Sequence, residues 1–160
     1  DSSKIPVMAL SVSERELRSA DPARLTGHMA ARNYFQSIVS AENDAFVKMW
    51  ADFNEQRDKT TNDPMEATVD GLKMWKAAVE KAGKTDVDAV RAAMIGQKVS
   101  APDGFEVEMG SNHHLYKPVM VGEIRPDGQF DIVWQTEKPV RAQPWSPFIA
   151  GNEKKPDEVK

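Results

Sequence analysis

The spacing of apolar and polar residues predicts strands and short helices at the start of the chain. Residues 5–10 form an apolar run, which is typical of a buried strand in a parallel sheet. Ser13 and Glu16 have the spacing of a capping box, so a short helix is expected to follow them. Residues 27–35 are mixed in polarity and are interpreted as a second extended segment.

Three helices are predicted in the middle of the chain. Residues 41–56 carry large apolar side chains at helical spacing, and this apolar face consists of Phe46, Met49, Trp50 and Phe53. A second helix is predicted for residues 63–82, with Asp63 as its N-cap and Gly83 as its stop. The predicted buried face of that helix consists of Met65, Val69, Leu72, Trp75 and Val79. A third helix is predicted for residues 87–95.

After Gln97, the spacing of apolar residues changes from that of helices to that of strands. Residues 105–109, 119–124 and 130–135 are predicted strands. The sequence of residues 125–128, RPDG, is typical of a tight turn, so the last two strands are expected to form a hairpin. Strands and helices in this order predict an α/β fold.

Composition narrows the possible functions. The 160 residues are 40% hydrophobic, as in an ordinary globular chain, and no run approaches the roughly 18 apolar residues of a membrane span. The net charge of -4 comes from 21 basic and 25 acidic residues that are mixed along the chain, which argues against a nucleic-acid partner. The absence of cysteine excludes disulfides and thiol chemistry.

Sequence motifs give no support to catalysis. The chain has no GxSxG, Walker, GxGxxG or HExxH pattern, and its carboxylates show no recognisable acid/base pairing. His113 and His114 are adjacent, so on an extended segment they point to opposite sides, and neither cysteine nor HxxxH spacing completes a zinc site. The sequence therefore predicts a protein that is not an enzyme and that has no metal or cofactor.

Several segments together carry a family resemblance. They are residues 5–14 (IPVMALSVSE), 33–37 (NYFQS), 63–67 (DPMEA), 112–120 (NHHLYKPVM), 130–136 (FDIVWQT) and 141–148 (RAQPWSPF). In this order they resemble the urea-binding subunit of ABC transporters, in the branched-chain amino acid and amide branch of type I periplasmic binding proteins. Proteins of that family are more than twice as long, so this chain resembles a C-terminal portion.

The resemblance implies a two-lobed α/β architecture, a parallel-sheet sandwich with flanking helices and a closing β-hairpin. By this analogy, residues 1–33 belong to the second lobe and residues 34–117 to the first. Residues 118–150 then supply the second-lobe hairpin and the C-terminal segment, and residues 151–160 a flexible tail. Such a piece is expected to expose apolar helix faces, through which copies of the chain could associate.

The function implied by the resemblance is that of a periplasmic solute-binding component. It binds urea or a short-chain amide by lobe closure and delivers it to the permease subunits of an ABC importer. No signal peptide precedes Asp1, which is expected of a processed or truncated chain. Two alternatives stay open, namely a cytoplasmic amide-sensing regulator of the same fold and a branched-chain amino acid-binding protein.

The resemblance also implies ligand-binding residues. Ser11, Val12 and Ser13 lie between a predicted strand and a helix, at the edge where α/β proteins place ligand contacts. Ser11 is expected to contact the ligand through its hydroxyl and Val12 through apolar atoms or its backbone, whereas Ser13 has the alternative role of a helix cap. Tyr34 and Asp63 are further candidates, with a core aromatic and a helix cap as the competing interpretations.

Overall fold

The computed structural model describes residues 1–156 and shows an α/β chain, as predicted. The strands are β1 (Met8–Ala9), β2 (Met29–Arg32), β3 (Lys98–Ser100), β4 (Glu106–Met109), β5 (Leu115–Tyr116), β6 (Met120–Ile124) and β7 (Phe130–Gln135). The helices are α1 (Glu14–Leu17), α2 (Pro22–Leu25), α3 (Ala41–Phe53), α4 (Asp63–Ala82) and α5 (Val87–Met94), and a 3-10 turn spans Asn152–Lys154. None of the helices within residues 1–156 combines the length and apolar character needed to cross a membrane.

The strands form two sheets. The first has the order β1-β2-β6-β7, with β1 parallel to β2 and the other neighbours antiparallel. The second has the order β3-β4-β5 and is antiparallel. The first sheet thus takes its strands from both ends of the chain and the second from its middle. The lobe boundaries expected at residues 33/34 and 117/118 stay predictions.

The N-terminal strand differs from its prediction. The strand is limited to Met8–Ala9, preceded by a hydrogen bond from the Met29 N–H to the Val7 carbonyl oxygen, and β1 lies at the edge of its sheet. Among the described residues, nothing covers this segment, so the side chains of Ile5, Val7 and Leu10 are exposed. The prediction that residues 5–10 are buried is therefore wrong, although their parallel pairing is confirmed.

Helix α4 begins and ends nearly where the sequence predicts. Its N-cap is Asn62 rather than Asp63, because the Asn62 side chain accepts a hydrogen bond from the Met65 backbone N–H at 3.2 Å. Asp63 is then the first helical residue. The helix ends at Gly83, whose φ of 67° is the left-handed conformation that favours glycine at a helix C-terminus.

The most deeply buried stripe of α4 differs from the predicted face. The buried residues are Glu66, Asp70, Met74 and Ala78, which recur every four residues along the helix. This stripe faces inward where α4 packs against α5 and β3. Leu72 is 64% exposed and Trp75 is 47% exposed. Of the predicted apolar face, Leu72 and Trp75 are thus exposed, whereas Met65, Val69 and Val79 are partly buried.

Each sheet has its own apolar core. The first core packs against the four-stranded sheet and consists of Leu17, Ala30, Phe35, Met120, Ile124 and Phe130. The second lies beneath α4 and consists of Met74, Ala101, Val107 and Met109. Phe35 and Phe130 pack at a tilt in the first core, with ring centroids 4.6 Å apart. They lie directly over Gly122 of β6, where a side chain would collide with them.

A buried ionic cluster joins α4 to the segment between β5 and β6. The ammonium of Lys117, whose side chain is 9% exposed, donates to Glu66 and lies 3.3 Å from an Asp70 carboxylate oxygen. Burial raises the pKa of Glu66, so this carboxyl tends to keep its proton. With Glu66 protonated, the charges of Lys117 and Asp70 balance. Next to the cluster, the Asn33 side chain donates to the Pro118 carbonyl oxygen.

The C-terminal segment makes contacts within itself through Trp145. Its indole N–H donates to the Pro156 carbonyl oxygen at 3.1 Å, and the Lys155 ammonium lies 4.2 Å from the ring centroid. The flexibility expected of residues 151–160 stays a prediction, and residues 157–160 of that tail lie outside the described part of the chain.

The packing over Gly122 predicts a position-specific effect of alanine. In Gly122→Ala the new Cβ would lie 2.8 Å from Phe35 Cζ and 3.0 Å from Phe130 Cβ. We expect the free energy of unfolding, measured in guanidinium chloride, to fall by about 1–3 kcal/mol. In the control Gly71→Ala, no described heavy atom lies within 4 Å of the new Cβ. We expect the free energy of unfolding of this variant to rise by about 1 kcal/mol, because alanine has a higher helix propensity than glycine. Equal effects would contradict the close packing.

The ionic cluster predicts a large cost for removing its cation. In Lys117→Met, two buried carboxyl groups lose their partner, and we expect the free energy of unfolding to fall by about 3–5 kcal/mol. The control is Lys76→Met, which breaks an exposed pair with Glu80 and should cost less than about 0.5 kcal/mol. Guanidinium chloride unfolding of both variants measures the difference. A cost for Lys117→Met as small as that of the control would rule out the cluster.

Candidate functional site

The loop between β1 and α1 carries three of the expected ligand residues. Ser11 is exposed, and Val12 packs against the first core. Ser13 is buried, its backbone N–H donates to the Glu16 carboxylate at 2.9 Å, and its hydroxyl donates to the same carboxylate. The capping box is therefore present and occupies the Ser13 hydroxyl. Of the three residues, Ser11 presents its side chain to solvent.

Arg32 connects this loop to the start of α4. Its Nε donates to the Val12 carbonyl oxygen at 3.2 Å, and its guanidinium lies 3.6 Å from the Asp63 carboxylate. The side chains of Arg32 and Asp63 are 14% and 15% exposed, so this pair is largely shielded from solvent. The structure thus brings Val12 and Asp63 together through a residue that sequence reasoning missed. Arg32 could have been noticed in the sequence, because it is a single basic residue at the end of the otherwise apolar strand β2.

Tyr34 lies apart from this surface. Its ring is buried against Phe46, with centroids 5.8 Å apart. Its hydroxyl donates to Asn43 Oδ1 at 2.6 Å and accepts from the Thr61 hydroxyl at 2.8 Å. Burial raises the pKa of Tyr34, so the phenol stays protonated. Its hydroxyl is fully occupied by partners that fix the segment leading into α4.

Glu14 is a buried acid next to the same loop. It is 1% exposed, and its Oε1 accepts from the Gln36 backbone N–H at 2.7 Å. Its Oε2 has no hydrogen-bond partner among the described residues. Burial raises the pKa of Glu14 to about 7, although the Gln36 hydrogen bond acts in the opposite direction. Sequence reasoning missed this environment because a glutamate in a first helical turn is usually exposed.

The charges of Arg32 and Asp63 balance each other in this candidate site. Arg32 supplies one positive charge and Asp63 one negative charge, while Glu14 is close enough to influence both electrostatically. The surface around Ser11 therefore offers hydroxyl and backbone groups without an unpaired cation. Such a surface suits hydrogen bonding to a small polar solute.

The histidines and carboxylates do not form a metal site in the described part of the chain. Within residues 1–156, no three His, Cys, Asp or Glu side chains are grouped in a way that would hold a metal ion. The ring Nδ1 of His114 lies 2.9 Å from the Asn112 carbonyl oxygen, which fixes this histidine within its own loop. His113 adopts a φ of 59°, so the two histidines are part of a turn rather than of an extended segment.

The buried acid predicts a pH-dependent stability difference. The folded-state pKa of Glu14, about 7, exceeds its ordinary value of 4.5, so stability is lost as the pH rises through this interval. In Glu14→Gln, the new amide would keep an oxygen that accepts from the Gln36 backbone N–H. We expect this variant to be more stable than the parent protein at pH 8 by up to about 3 kcal/mol, and the gain to be much smaller at pH 5.

Thermal unfolding between pH 5 and pH 8 measures this difference. The control is Glu137→Gln at an exposed position, which should follow the parent protein at both pH values. A Glu14→Gln gain that is independent of pH would show that Glu14 does not titrate in this interval.

Solved structures with the same fold are solute-binding proteins. The chain is similar to an ABC transporter solute-binding protein of Rhodopseudomonas palustris HaA2 in complex with p-hydroxybenzoic acid, with a TM-score of 0.72 and 24% identity over 86% of this chain and 38% of that protein. An ABC transporter solute-binding protein of R. palustris in complex with benzoate has a TM-score of 0.69 and 21% identity. The match covers 88% of this chain and 38% of that protein. A leucine-, isoleucine-, valine-, threonine- and alanine-binding protein of Brucella ovis has a TM-score of 0.63 and 20% identity. The match covers 83% of this chain and 37% of that protein. The expected type I periplasmic binding protein fold is confirmed.

A curated relative corrects one expectation. The chain is 34% identical over 118 residues, or 74% of its length, to a protein of Geobacillus stearothermophilus named limonene hydroxylase, and it covers 21% of that protein. Because this relative carries the name of an enzyme, the prediction that the chain is not an enzyme is contradicted. The absence of familiar motifs was insufficient ground for it, since motif lists cover only some catalytic sites.

The length of the match to a protein family decides the classification. The family described as periplasmic binding protein domain matches residues 1–151, which include both sheets and helices α1 to α5. The chain spans 38% of the p-hydroxybenzoic acid-binding structure, so it corresponds in length to part of such a protein. The urea specificity implied by the sequence resemblance stays a prediction. With nearly its whole length matched, the chain belongs to the periplasmic binding protein domain family.

Proposed function

We propose that this chain is part of the solute-binding component of an ABC importer and that its ligand is urea or a short-chain amide. The family match over residues 1–151, together with a fold shared with ABC transporter solute-binding proteins, supports the solute-binding role. The ligand assignment is supported by the sequence resemblance and by the pairing of Arg32 with Asp63. In this proposal the protein works in the periplasm, closes over the ligand and delivers it to the permease subunits.

The charge balance of the candidate site supports a neutral ligand. The guanidinium of Arg32 is engaged by the Asp63 carboxylate and the Val12 carbonyl oxygen. A ligand carboxylate would have to displace these partners, which would leave Asp63 without its cation in a largely buried position. The aromatic acids bound by the R. palustris proteins carry such a carboxylate, whereas urea and amides do not.

The size of urea sets an expected affinity. A ceiling of about -1.5 kcal/mol per heavy atom gives roughly -6 kcal/mol for four atoms, which is a dissociation constant on the order of tens of micromolar. Reaching this value requires that nearly every polar atom of the ligand be paired. Ser11 is the expected hydroxyl contact, Val12 contributes apolar and backbone atoms, and Asp63 approaches from α4. Ser13 and Tyr34 support the loop and α4 through hydroxyls that already have partners.

The alternatives differ in how well the structure supports them. An amide-sensing regulator is less favoured, because the similar structures are transport proteins. A branched-chain amino acid ligand has support from the B. ovis protein, but it would require separate groups for an ammonium and a carboxylate. The exposed apolar side chains of α3 and α4, including Phe53, Leu72 and Trp75, support the expectation that copies of the chain associate.

Calorimetric titration of the natural full-length protein tests the ligand assignment. We expect urea or acetamide to bind with a dissociation constant of tens to hundreds of micromolar, and leucine and benzoate to give no heat. In Ser11→Ala we expect about tenfold weaker urea binding from the loss of one hydrogen bond to the ligand. Ser3→Ala, at an exposed position outside the site, is the matched control.

Asp63→Asn sharpens the test, because it removes the carboxylate that balances Arg32. We expect this variant to acquire measurable benzoate binding through the released guanidinium. Heat from benzoate or leucine with the parent protein, and none from urea or acetamide, would sink the urea or amide assignment.

A further inference from the structure

The two halves of the candidate solute site lie on separate elements of the fold. The loop that carries Ser11 leads directly into α1, whereas Asp63 is the first residue of α4. Helix α1 contributes Leu17 to the first core, and α4 contributes Met74 to the second. The position of one half relative to the other therefore depends on contacts that connect α1 with the segment leading into α4.

Two arginines at α1 converge on one carboxylate of that segment. Arg15 Nη1 lies 2.9 Å from Asp58 Oδ2, and Arg18 Nη1 donates to Asp58 Oδ1. Arg18 Nη1 also lies 3.3 Å from the Thr60 hydroxyl oxygen. The Asp58 side chain is 22% exposed, and those of Arg15 and Arg18 are 42% and 52% exposed. We call Arg15, Arg18 and Asp58 the α1 clasp.

Local backbone geometry presents Asp58 to the two arginines. Glu55 and Gln56 have φ values of 57° and 63°, a left-handed conformation that is uncommon for residues other than glycine and that ends α3 in a turn. The Asp58 backbone N–H donates to Asn54 Oδ1 at 2.7 Å, and Asp58 Oδ1 accepts from the Thr60 backbone N–H at 2.8 Å. The Thr60 hydrogen bond is the main cause that keeps the pKa of Asp58 below its ordinary value, and both arginines act in the same direction. Asp58 is therefore charged at neutral pH.

A second connection between the same elements runs through Gln36 and does not involve Asp58. The Gln36 backbone N–H donates to Glu14 Oε1 at 2.7 Å, and its side-chain amide donates to the Lys59 carbonyl oxygen at 2.8 Å. The Thr61 backbone N–H donates to Gln36 Oε1 at 3.3 Å. Since these hydrogen bonds remain when the carboxylate of Asp58 is removed, we expect variants of Asp58 to fold.

The shortness of α1 makes the ionic contact relevant to the solute site. A helix of four residues is not fixed in direction by its own hydrogen bonds, so its position depends on contacts with the rest of the fold. We propose that Asp58 is a positioning residue for solute binding. Through Arg15 and Arg18 it holds α1, and with it the Ser11 loop, in place relative to Asp63. The inference rests on the solute site proposed above and adds a residue that does not itself contact the ligand.

The salt dependence of urea binding to the natural full-length protein tests this role. Urea is neutral, so ionic strength acts on its binding mainly through exposed ion pairs of the protein, and the Arg32–Asp63 pair is largely shielded. In calorimetric titrations at low ionic strength, we expect Asp58→Asn to weaken urea binding about threefold, the scale of an exposed ion pair. About 0.5 M sodium chloride should weaken binding to the parent protein by a similar factor and leave binding to Asp58→Asn unchanged.

Further variants assign the effect to the α1 clasp. Because Arg18 acts through Asp58, adding Arg18→Gln to Asp58→Asn should weaken urea binding no further. Glu80→Gln is the matched control, since it removes an exposed carboxylate that pairs with Lys76 on α4, and it should bind urea as the parent protein does. Equal urea affinity in Asp58→Asn and the parent protein, or a salt dependence that persists in Asp58→Asn, would overturn the positioning role.

A measurement without ligand separates this inference from the ligand assignment. In ¹⁵N-labelled full-length protein free of solute, we expect the amide signals of Ser11 and Val12 to shift in Asp58→Asn and to stay in place in Glu80→Gln. Loop signals that do not shift in Asp58→Asn overturn the positioning role, whichever solute the protein binds. If the signals shift but urea gives no heat with the parent protein, the ligand assignment fails while the positioning of the loop by Asp58 is supported.

Discussion

The buried contact of Lys117 with Glu66 and Asp70 decides how α4 is oriented. Burying two carboxyl groups is costly unless a cation and hydrogen bonds compensate them, so both must face the Lys117 ammonium. They lie on one stripe of the helix with Met74 and Ala78, and this stripe therefore turns inward. Leu72 and Trp75 lie on another side and stay exposed among the described residues. The buried stripe thus combines an ionic contact with the apolar packing of Met74 and Ala78, and both contribute to the rotation of the helix.

The candidate solute site depends on the same orientation. Asp63 opens α4, and only a helix fixed in rotation places its carboxylate near Arg32 of β2. The segment that leads into α4 is held in turn by the buried Tyr34 hydroxyl, which contacts Asn43 and Thr61. In the proposed solute site, groups from different parts of the chain are thus held by buried supporting contacts. The family fold supplies the scaffold, and the Arg32–Asp63 pair connects β2 to the start of α4.

Local sequence signals were sufficient for much of the secondary structure. The capping box of Ser13 and Glu16, the Gly83 stop and the turn at residues 125–128 each depend on residues close in sequence, and each forms as predicted. The short strands β3 and β5 and helix α2 were not predicted, because two to four residues show too little periodicity. The Asp63 cap was misplaced by one residue, because Asn62 is an equally good acceptor.

By itself, the sequence determined the α/β class, the family resemblance and the position of the loop that carries Ser11. The tertiary structure decided which groups are buried and which are paired. Glu14 resembles an ordinary first-turn acid in sequence, and Arg32 an ordinary surface cation. Only the packing of residues far apart in the chain buries the first and places the second between Val12 and Asp63. Burial and pairing of charges depend on long-range contacts, which local periodicity does not encode.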